Sequence, residues 1–126
     1  MMKTISLSDI IIFHEKIVQA TGGSDGIRDF GLIESALSSA FVTFDGKDLY
    51  EDTEDKISAI TFALIKNHCF VDGNKRIGVA VMLLLLNLNN INISYSQEEL
   101  INLGLEIAGG MIGIKEIKRW INNHKI

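Results

Sequence analysis

Hydrophobic residues recur at intervals of three and four near the start of the chain, the spacing that gives a helix one apolar face. This pattern predicts a first helix from Ser8 to Ala20, with Ser8 as its N-cap. A second helix is predicted from Phe30 to Phe41, with Asp29 as its N-cap. The segment from Thr21 to Gly26 contains three glycines, so we expect a mobile loop between these two helices.

The middle of the chain carries the most apolar helical pattern. A third helix is predicted to begin near Asp52 and Asp55 and to end at Asn67. A fourth, from Asn74 to Leu88, is apolar on all sides, so we expect the other helices to surround it. A short polar loop, residues 68–73, joins the two helices.

The remaining segments complete a helical domain. Ser96 and Glu99 form the capping-box pattern of a fifth helix that extends to about Ala108, and a sixth amphipathic helix is predicted from Lys115 to Asn123. Residues 42–50 carry Asp-Gly between short β-prone pieces, which is typical of an irregular loop or a small hairpin. We predict an all-α bundle, with room for a small β-hairpin or flap, as a single domain over residues 1–126 because no linker-like stretch divides the chain.

Composition narrows the functional classes. The chain has 126 residues, of which 47% are hydrophobic and 22% are charged, as in a globular domain with one core. The formal net charge of −4 argues against direct binding to nucleic acid or to an anionic membrane, since both need a basic surface. The longest uncharged apolar run, Ile77 to Leu86, is too short to span a bilayer, and the single cysteine, Cys69, suits a reducing compartment. We therefore predict a cytoplasmic protein.

The polar loop before the fourth helix carries the candidate chemistry. Gly73 and Asn74 suit a tight bend, and the amides after such a bend have no helical carbonyl partner, so they can bind an anion. Lys75 and Arg76 follow in the first helical turn, where cations oppose the helix dipole unless an anion such as a polyphosphate lies nearby. Asp72 is predicted either to cap the helix or to hold Mg²⁺. His68 carries an imidazole, the kind of side chain whose unperturbed pKa lies near neutrality, and is the candidate general base.

The loop also has a purely structural interpretation. Asp-Gly and Gly-Asn commonly begin helices, Asp72 would then be an ordinary N-cap, and the two cations would be solvated. Elsewhere, His14 lies on an amphipathic helix and is interpreted as a surface or core-edge residue. Arg28 and Asp29 are interpreted as a capping ion pair at the start of the second helix.

The order of the residues resembles the signature of the Fic/Doc family and, within it, of the death-on-curing (Doc) toxins. That motif reads H-x-F-x-D-(A or G)-N-K-R, and every fixed position is present here: His68, Phe70, Asp72, Gly73, Asn74, Lys75 and Arg76. A second block, Gly26 to Leu37, is similar to the G-(I/V)-R-D-x-G-L-L-E-S-A run of the same subfamily. The adenylylating Fic motif, H-P-F-x-(D/E)-G-N-G-R-x-x-R, differs, because this chain has Cys69, Lys75 and Val79 at three of its fixed positions.

The resemblance implies a Fic-like bundle around a central buried helix and a toxin of a type II toxin-antitoxin system. The implied reaction transfers the γ-phosphate of ATP to a Thr or Ser hydroxyl of a translation factor of the elongation factor Tu type. His68 would be the base, Asp72 would hold Mg²⁺, Gly73 and Asn74 would bind phosphate, and Lys75 and Arg76 would neutralise its charge.

Three alternatives to this reaction stay open, and one of them is a binding module without turnover, which the complete motif disfavours. Transfer of AMP needs the same base and anion site with the nucleotide reversed, although Lys75 and Val79 favour phosphoryl transfer. The last two helices, joined by Gly109-Gly110, also fit a helix-turn-helix nucleic-acid binder, which the acidic charge disfavours.

The resemblance also implies restraint by a separate protein. Self-inhibiting relatives carry an (S/T)-x-x-x-E-(G/N) motif, and no Glu in this chain is followed by Gly or Asn. The implied partner is a Phd-like antitoxin whose disordered tail folds as a helix into a groove beside the loop.

Overall fold

A computed structural model describes residues 2–126. Within them the chain forms six α-helices: α1 (Leu7–Thr21), α2 (Phe30–Ser38), α3 (Thr53–Lys66), α4 (Asn74–Leu88), α5 (Gln97–Ala108) and α6 (Ile114–His124). A 3-10 helix at Ser39–Phe41 extends α2, and a two-stranded hairpin, β1 (Thr43–Phe44) and β2 (Lys47–Asp48), follows it. The predicted all-α class is confirmed.

The start of α1 differs from the prediction. Its N-cap is Ser6, whose hydroxyl accepts the Asp9 N–H at 3.1 Å, while the Asp9 carboxylate accepts the Ser6 N–H at 3.0 Å. This reciprocal pair satisfies two amide donors at once, whereas a cap at Ser8 would satisfy one. The prediction of Ser8 as N-cap was therefore wrong, because Ser8 lies inside the first turn.

The other predicted caps are confirmed. Asp29 accepts the Leu32 N–H at the start of α2, and Ser96 accepts the Glu99 N–H at the start of α5. Asp52, which was predicted to lie near the start of α3, accepts the Asp55 N–H there. The second helix is shorter than predicted as an α-helix, since residues 39–41 continue as the 3-10 turn. The hairpin pairs Thr43 with Asp48 and Phe44 with Lys47 across a two-residue turn.

The centre of the bundle is α3, which packs against α2, α4, α5 and α6. Its buried Ser58 and Thr61 hydroxyls donate to carbonyls one turn earlier in the same helix, so the helix carries these polar groups inside without an unsatisfied donor. Against it lies α4, at a close approach: a Cβ on Gly78 would collide with the Ile65 side chain of α3.

The outer face of α4 is less enclosed than its apolar pattern predicted. Ile77, Val81 and Leu85 are buried, but Val79 and Leu83 are only half-buried. The prediction that α4 is surrounded on all sides was wrong for this outer face, where a groove separates α1 from α5. Across residues 2–126, no helix combines the length and the apolar composition that crossing a membrane requires.

A shared carboxylate joins the two C-terminal helices. Glu99 accepts the Ser96 N–H at 2.8 Å through Oε1, and its Oε2 lies 2.7 Å from His124 Nε2. His124 Nδ1 lies 2.7 Å from the Trp120 carbonyl oxygen. Both partners accept hydrogen bonds, so both contacts are satisfied when both ring nitrogens of His124 carry protons, which is the cationic form of the ring.

The pKa values of this pair shift apart. The hydrogen bond from His124, together with those from Ser96, lowers the pKa of Glu99 to about 2. Burial lowers the pKa of His124, but its hydrogen bonds to Glu99 and to the Trp120 carbonyl outweigh burial, so its pKa rises above 6.5. The pair therefore links stability to pH.

We expect the pair to stabilise the fold most between pH 4.5 and 6.5, the ordinary pKa values of its two members. Above pH 6.5 the contribution of His124 is lost as pH rises through its raised pKa. Below pH 4.5 the contribution of Glu99 is lost as pH falls toward 2. Urea unfolding below and above pH 6.5, for the wild type and His124→Gln, measures how the free energy of unfolding of each protein depends on pH. An identical pH profile for both proteins above pH 6.5 would contradict the assignment.

Candidate active site

The loop between α3 and α4 borders a cavity of about 220 Å³. Its lining includes every residue that the sequence singled out for chemistry, namely His68, Asp72, Gly73, Asn74, Lys75 and Arg76, together with Ile65, Val71 and Ala108. The structure therefore brings the predicted site residues together around one space.

The N-terminus of α4 is open toward this cavity. Gly73 is the N-cap, with φ of 79°, and no side chain caps the helix. The first backbone hydrogen bond of the helix runs from the Ile77 N–H to the Gly73 carbonyl at 2.9 Å, so the amides of residues 74–76 precede it. With Lys75 and Arg76 in the same turn, this end of the helix suits an anion.

The Asn74 side chain holds the loop in shape. Its Oδ1 accepts the Phe70 N–H at 3.0 Å and its Nδ2 donates to the Phe70 carbonyl at 2.9 Å. Phe70, a fixed position of the motif, is 1% exposed and anchors the loop in the core. The Asn74 side chain is thus engaged at both its oxygen and its nitrogen, and the group that this residue offers an anion is its backbone amide.

Asp72 keeps its carboxylate beside the cavity. Its Oδ1 accepts the N–H of Gly73 at 2.8 Å and lies 3.6 Å from Arg76 Nη2, and its side chain is about half exposed. The interpretation of Asp72 as an ordinary N-cap was wrong, because it bonds the amide of the cap residue and none inside α4.

The donor set around Asp72 decides whether Mg²⁺ would fit. No cluster of three or more His, Cys, Asp or Glu side chains exists within the described residues 2–126. Mg²⁺ would therefore be held by this one carboxylate together with phosphate oxygens and water, which is a usual environment for that ion.

Arg76 ties the glycine loop to the site. Its Nη1 donates to the Thr21 hydroxyl and, at 2.8 Å, to the Gly22 carbonyl. The Ser24 N–H points at Asp72 Oδ2, at 3.4 Å. These bonds hold the loop, which was expected to be mobile, on either side of Gly22 and Gly23. The loop lies against the Asp72 carboxylate.

His68 presents an exposed imidazole at the end of α3, in a left-handed backbone conformation with φ of 48°. Arg28 stabilises this bend, because its Nε donates to the His68 carbonyl at 2.5 Å and its Nη2 to the Asn67 carbonyl at 2.7 Å. The predicted capping pair of Arg28 with Asp29 was wrong, since the guanidinium binds the C-terminal end of α3 instead. Arg28 therefore supports the candidate base through the backbone.

His14 is the site residue that the sequence analysis missed. It is fully buried, its Nε2 lies 2.7 Å from the Asp72 carbonyl oxygen, and its ring stacks on Phe70 with centroids 3.7 Å apart. Its interpretation as a surface or core-edge residue was wrong. The available signal was its spacing, because His14 falls four residues from both Ile10 and Val18 on the buried stripe, where a polar group needs a partner.

Cys69 takes no part in the chemistry of the site. It is buried, and burial raises the pKa of its thiol to about 11, against a smaller opposing effect of Arg28. Because the thiolate is the reactive form, this cysteine is a packing residue.

Comparison with known proteins gives a family match and similar relatives. Residues 4–86, which include the whole loop, match a family model described as the Fic/DOC family. The chain is 36% identical over 75 residues to Toxin Doc of Mycolicibacterium smegmatis, an alignment that spans 60% of this chain and 58% of that protein. It is 28% identical over 119 residues to Protein kinase doc of Escherichia phage P1, spanning 92% of this chain and 90% of the phage protein.

We expect Gly23→Ala to destabilise the protein more than Gly22→Ala. Both glycines have positive φ, 106° and 91°, so either alanine is strained. That strain costs about 1–2 kcal/mol. A Cβ at Gly23 would also collide with Asp72 Oδ2, whereas one at Gly22 meets no atom of residues 2–126 within 4 Å. Urea unfolding measures the difference, and the amide resonance of Gly73 reports movement of Asp72. Equal losses and an unmoved resonance would contradict the contact.

Proposed function

The chain belongs to the Fic/DOC family, and from this premise we propose that it is a toxin that transfers the γ-phosphate of ATP to a protein hydroxyl. The proposed target is a Thr or Ser of a translation factor of the elongation factor Tu type, which places the reaction in the cytoplasm and arrests translation. The observation that carries the proposal is the uncapped N-terminus of α4, with Lys75 and Arg76 in its first turn, sharing one cavity with His68 and Asp72. The names of the two relatives, a Doc toxin and a protein kinase, support the same function.

His68 is the proposed general base. Its exposed ring can reach a hydroxyl on another protein, which a buried histidine such as His14 cannot. The hydroxyl oxygen attacks the γ-phosphorus and forms the new P–O bond, while its proton moves to the imidazole of His68. The bond from the γ-phosphorus to the bridging oxygen breaks, and ADP leaves.

The start of α4 supplies the proposed phosphate site. The amides of residues 74–76 point out of the helix end, and Lys75 and Arg76 add positive charge beside them. Asp72 would hold Mg²⁺, which neutralises phosphate charge when it is bound. An anion here also relieves a cost, because two cations in a first helical turn are unfavourable by roughly 0.3–1 kcal/mol each.

Two positions favour phosphoryl over adenylyl transfer. Lys75 lines the cavity and places a flexible cation where the adenylylating motif has glycine. Val79, where that motif has its last arginine, lines the apolar groove on the outer face of α4 and is absent from the cavity lining. The last arginine of that motif, a cation for the far phosphates, is therefore missing here. Its absence is expected if the nucleotide lies in the orientation used for γ-transfer.

The same groove supports the proposed restraint by a Phd-like antitoxin. It encloses about 310 Å³ between α1, α4 and α5, and its lining is mostly apolar: Ile17, Val79, Ala80, Leu83, Leu100, Ile101, Gly104 and Leu105. Lys75 and Arg76 close one end and also line the cavity. A helix with an apolar stripe would fill the groove, and it would contact the two cations that the nucleotide needs.

ATP labelled at either the γ or the α position tests the reaction. We expect the purified protein to transfer the γ label, and not the α label, to a translation factor. His68→Ala should slow transfer by about 10²–10⁴-fold, because it removes the base. His124→Gln, a change outside the cavity, is the matched control and should transfer normally. Transfer of the α label would establish adenylylation instead, and transfer of neither would remove the enzymatic proposal.

Ile101→Asp tests the groove. Ile101 is 56% exposed and lines it, whereas Ile12 is 50% exposed on α1 outside the lining. We expect Ile101→Asp to arrest growth even when the product of the neighbouring antitoxin gene is co-expressed, since a buried carboxylate would disrupt docking. Ile12→Asp should be neutralised as the wild type is. Neutralisation of both variants would place the antitoxin elsewhere.

A further inference from the structure

The buried ring of His14 holds the peptide unit on which the anion site begins. Its Nε2 lies 2.7 Å from the Asp72 carbonyl oxygen. A carbonyl accepts hydrogen bonds and donates none, so the Nε2 of His14 carries the proton and donates it. This nitrogen cannot accept a proton from a substrate in that state, and the ring is fully buried, which excludes His14 as the base.

The orientation of that carbonyl determines where the next amide points. Every peptide bond within residues 2–126 is trans, so the Asp72 C=O and the Gly73 N–H lie on opposite sides of one planar unit. With the carbonyl drawn inward by His14, the amide N–H must face outward. It does so, toward the Asp72 carboxylate beside the cavity, at 2.8 Å.

Two further contacts fix the ring itself. His14 stacks on Phe70 with an interplanar angle of 14°, and Phe70 is anchored by the side chain of Asn74. On the other side, a Cβ at Gly73 would lie 3.3 Å from His14 Nε2, so the ring fills the inside of the turn. The ring therefore has little room to let the carbonyl rotate.

A rotated peptide would be harmful to an anion site. It would turn the Asp72 carbonyl oxygen outward, where its negative end repels phosphate, and turn the Gly73 N–H inward, away from the Asp72 carboxylate to which it donates. We infer that His14 is a positioning residue, which keeps the Asp72–Gly73 peptide in the orientation that turns its carbonyl away from the phosphates of ATP and lets the Gly73 N–H hold the Asp72 carboxylate beside them. This inference rests on the proposed function for its consequence, and on geometry alone for the orientation.

Two substitutions separate the hydrogen bond from the packing. His14→Phe keeps an aromatic ring stacked on Phe70 but removes the donor, while His14→Gln removes the ring but places an N–H donor near the position of Nε2. Val18→Ala, on the same buried stripe of α1, is the control for lost stability with the bond from His14 to Asp72 retained. The measurements are the amide resonance of Gly73 in the free protein, the Kd for ATP, and the separate effects on KM and kcat.

We expect His14→Phe to move the Gly73 amide resonance and to raise the Kd for ATP roughly tenfold, with KM changed more than kcat, because His68 is untouched. His14→Gln should restore the resonance and most of the affinity, and Val18→Ala should alter neither. An unmoved resonance in His14→Phe would overturn the inference, and so would an equal loss of affinity in Val18→Ala.

The remaining outcomes also decide for or against the role of His14. If His14→Phe does not fold, loss of the wild-type Gly73 resonance in folded His14→Gln would overturn the inference, and its retention would support it. If the wild type does not bind ATP, the proposed function fails, and the Gly73 resonance of the variants still tests the orientation.

Discussion

The structure depends on a helix end that the protein itself leaves unsatisfied. At the N-terminus of α4 the backbone turns through a left-handed Gly73, no side chain caps the helix, and Lys75 and Arg76 follow at once. Each of these choices weakens the helix when considered alone. Together they concentrate unpaired donors and positive charge at one point, which is the arrangement that a bound phosphate would complete.

Such an end must be held by the rest of the fold, and the supports come from three parts of the chain. Asn74 clamps the loop locally through both backbone groups of Phe70. Arg28, ahead of α2, binds the carbonyls that end α3 and so places His68. From α1 come His14, beneath the Asp72 carbonyl, and Thr21, which accepts from Arg76. The side chains that are proposed to react thus reach the surface while the backbone beneath them is fixed.

The sequence predicted what depends on neighbours along the chain. The caps at Asp29 and Ser96, the bounds of α4 and the convergence of residues 68–76 all follow from local spacing. Contacts between distant segments were not predictable in this way. The bond from His14 to Asp72 joins positions 58 residues apart, and that from Arg28 to His68 joins positions 40 residues apart.

The same limit explains the errors in the fold. Periodicity shows that α4 is apolar all round, but it does not show that α1 and α5 stand apart and leave Val79 and Leu83 half-buried. At α1, two serines close together each suited a cap, and the choice of Ser6 depended on the carboxylate of Asp9 at the third position. The role of Asp72 was ambiguous for a related reason. An aspartate just before a helix has the same sequence neighbours whether it caps the helix or faces a cavity.

The position of α1 has a consequence for how the protein is handled. No residue of this first helix is assigned a reacting role, yet it carries both His14 and Thr21. A fusion partner or truncation that displaces α1 would deprive the loop of both supports, while α3 would keep its contact partners α2, α4, α5 and α6. A preparation can therefore keep most of its helices and still have a disassembled site, and tags are better placed at the other terminus.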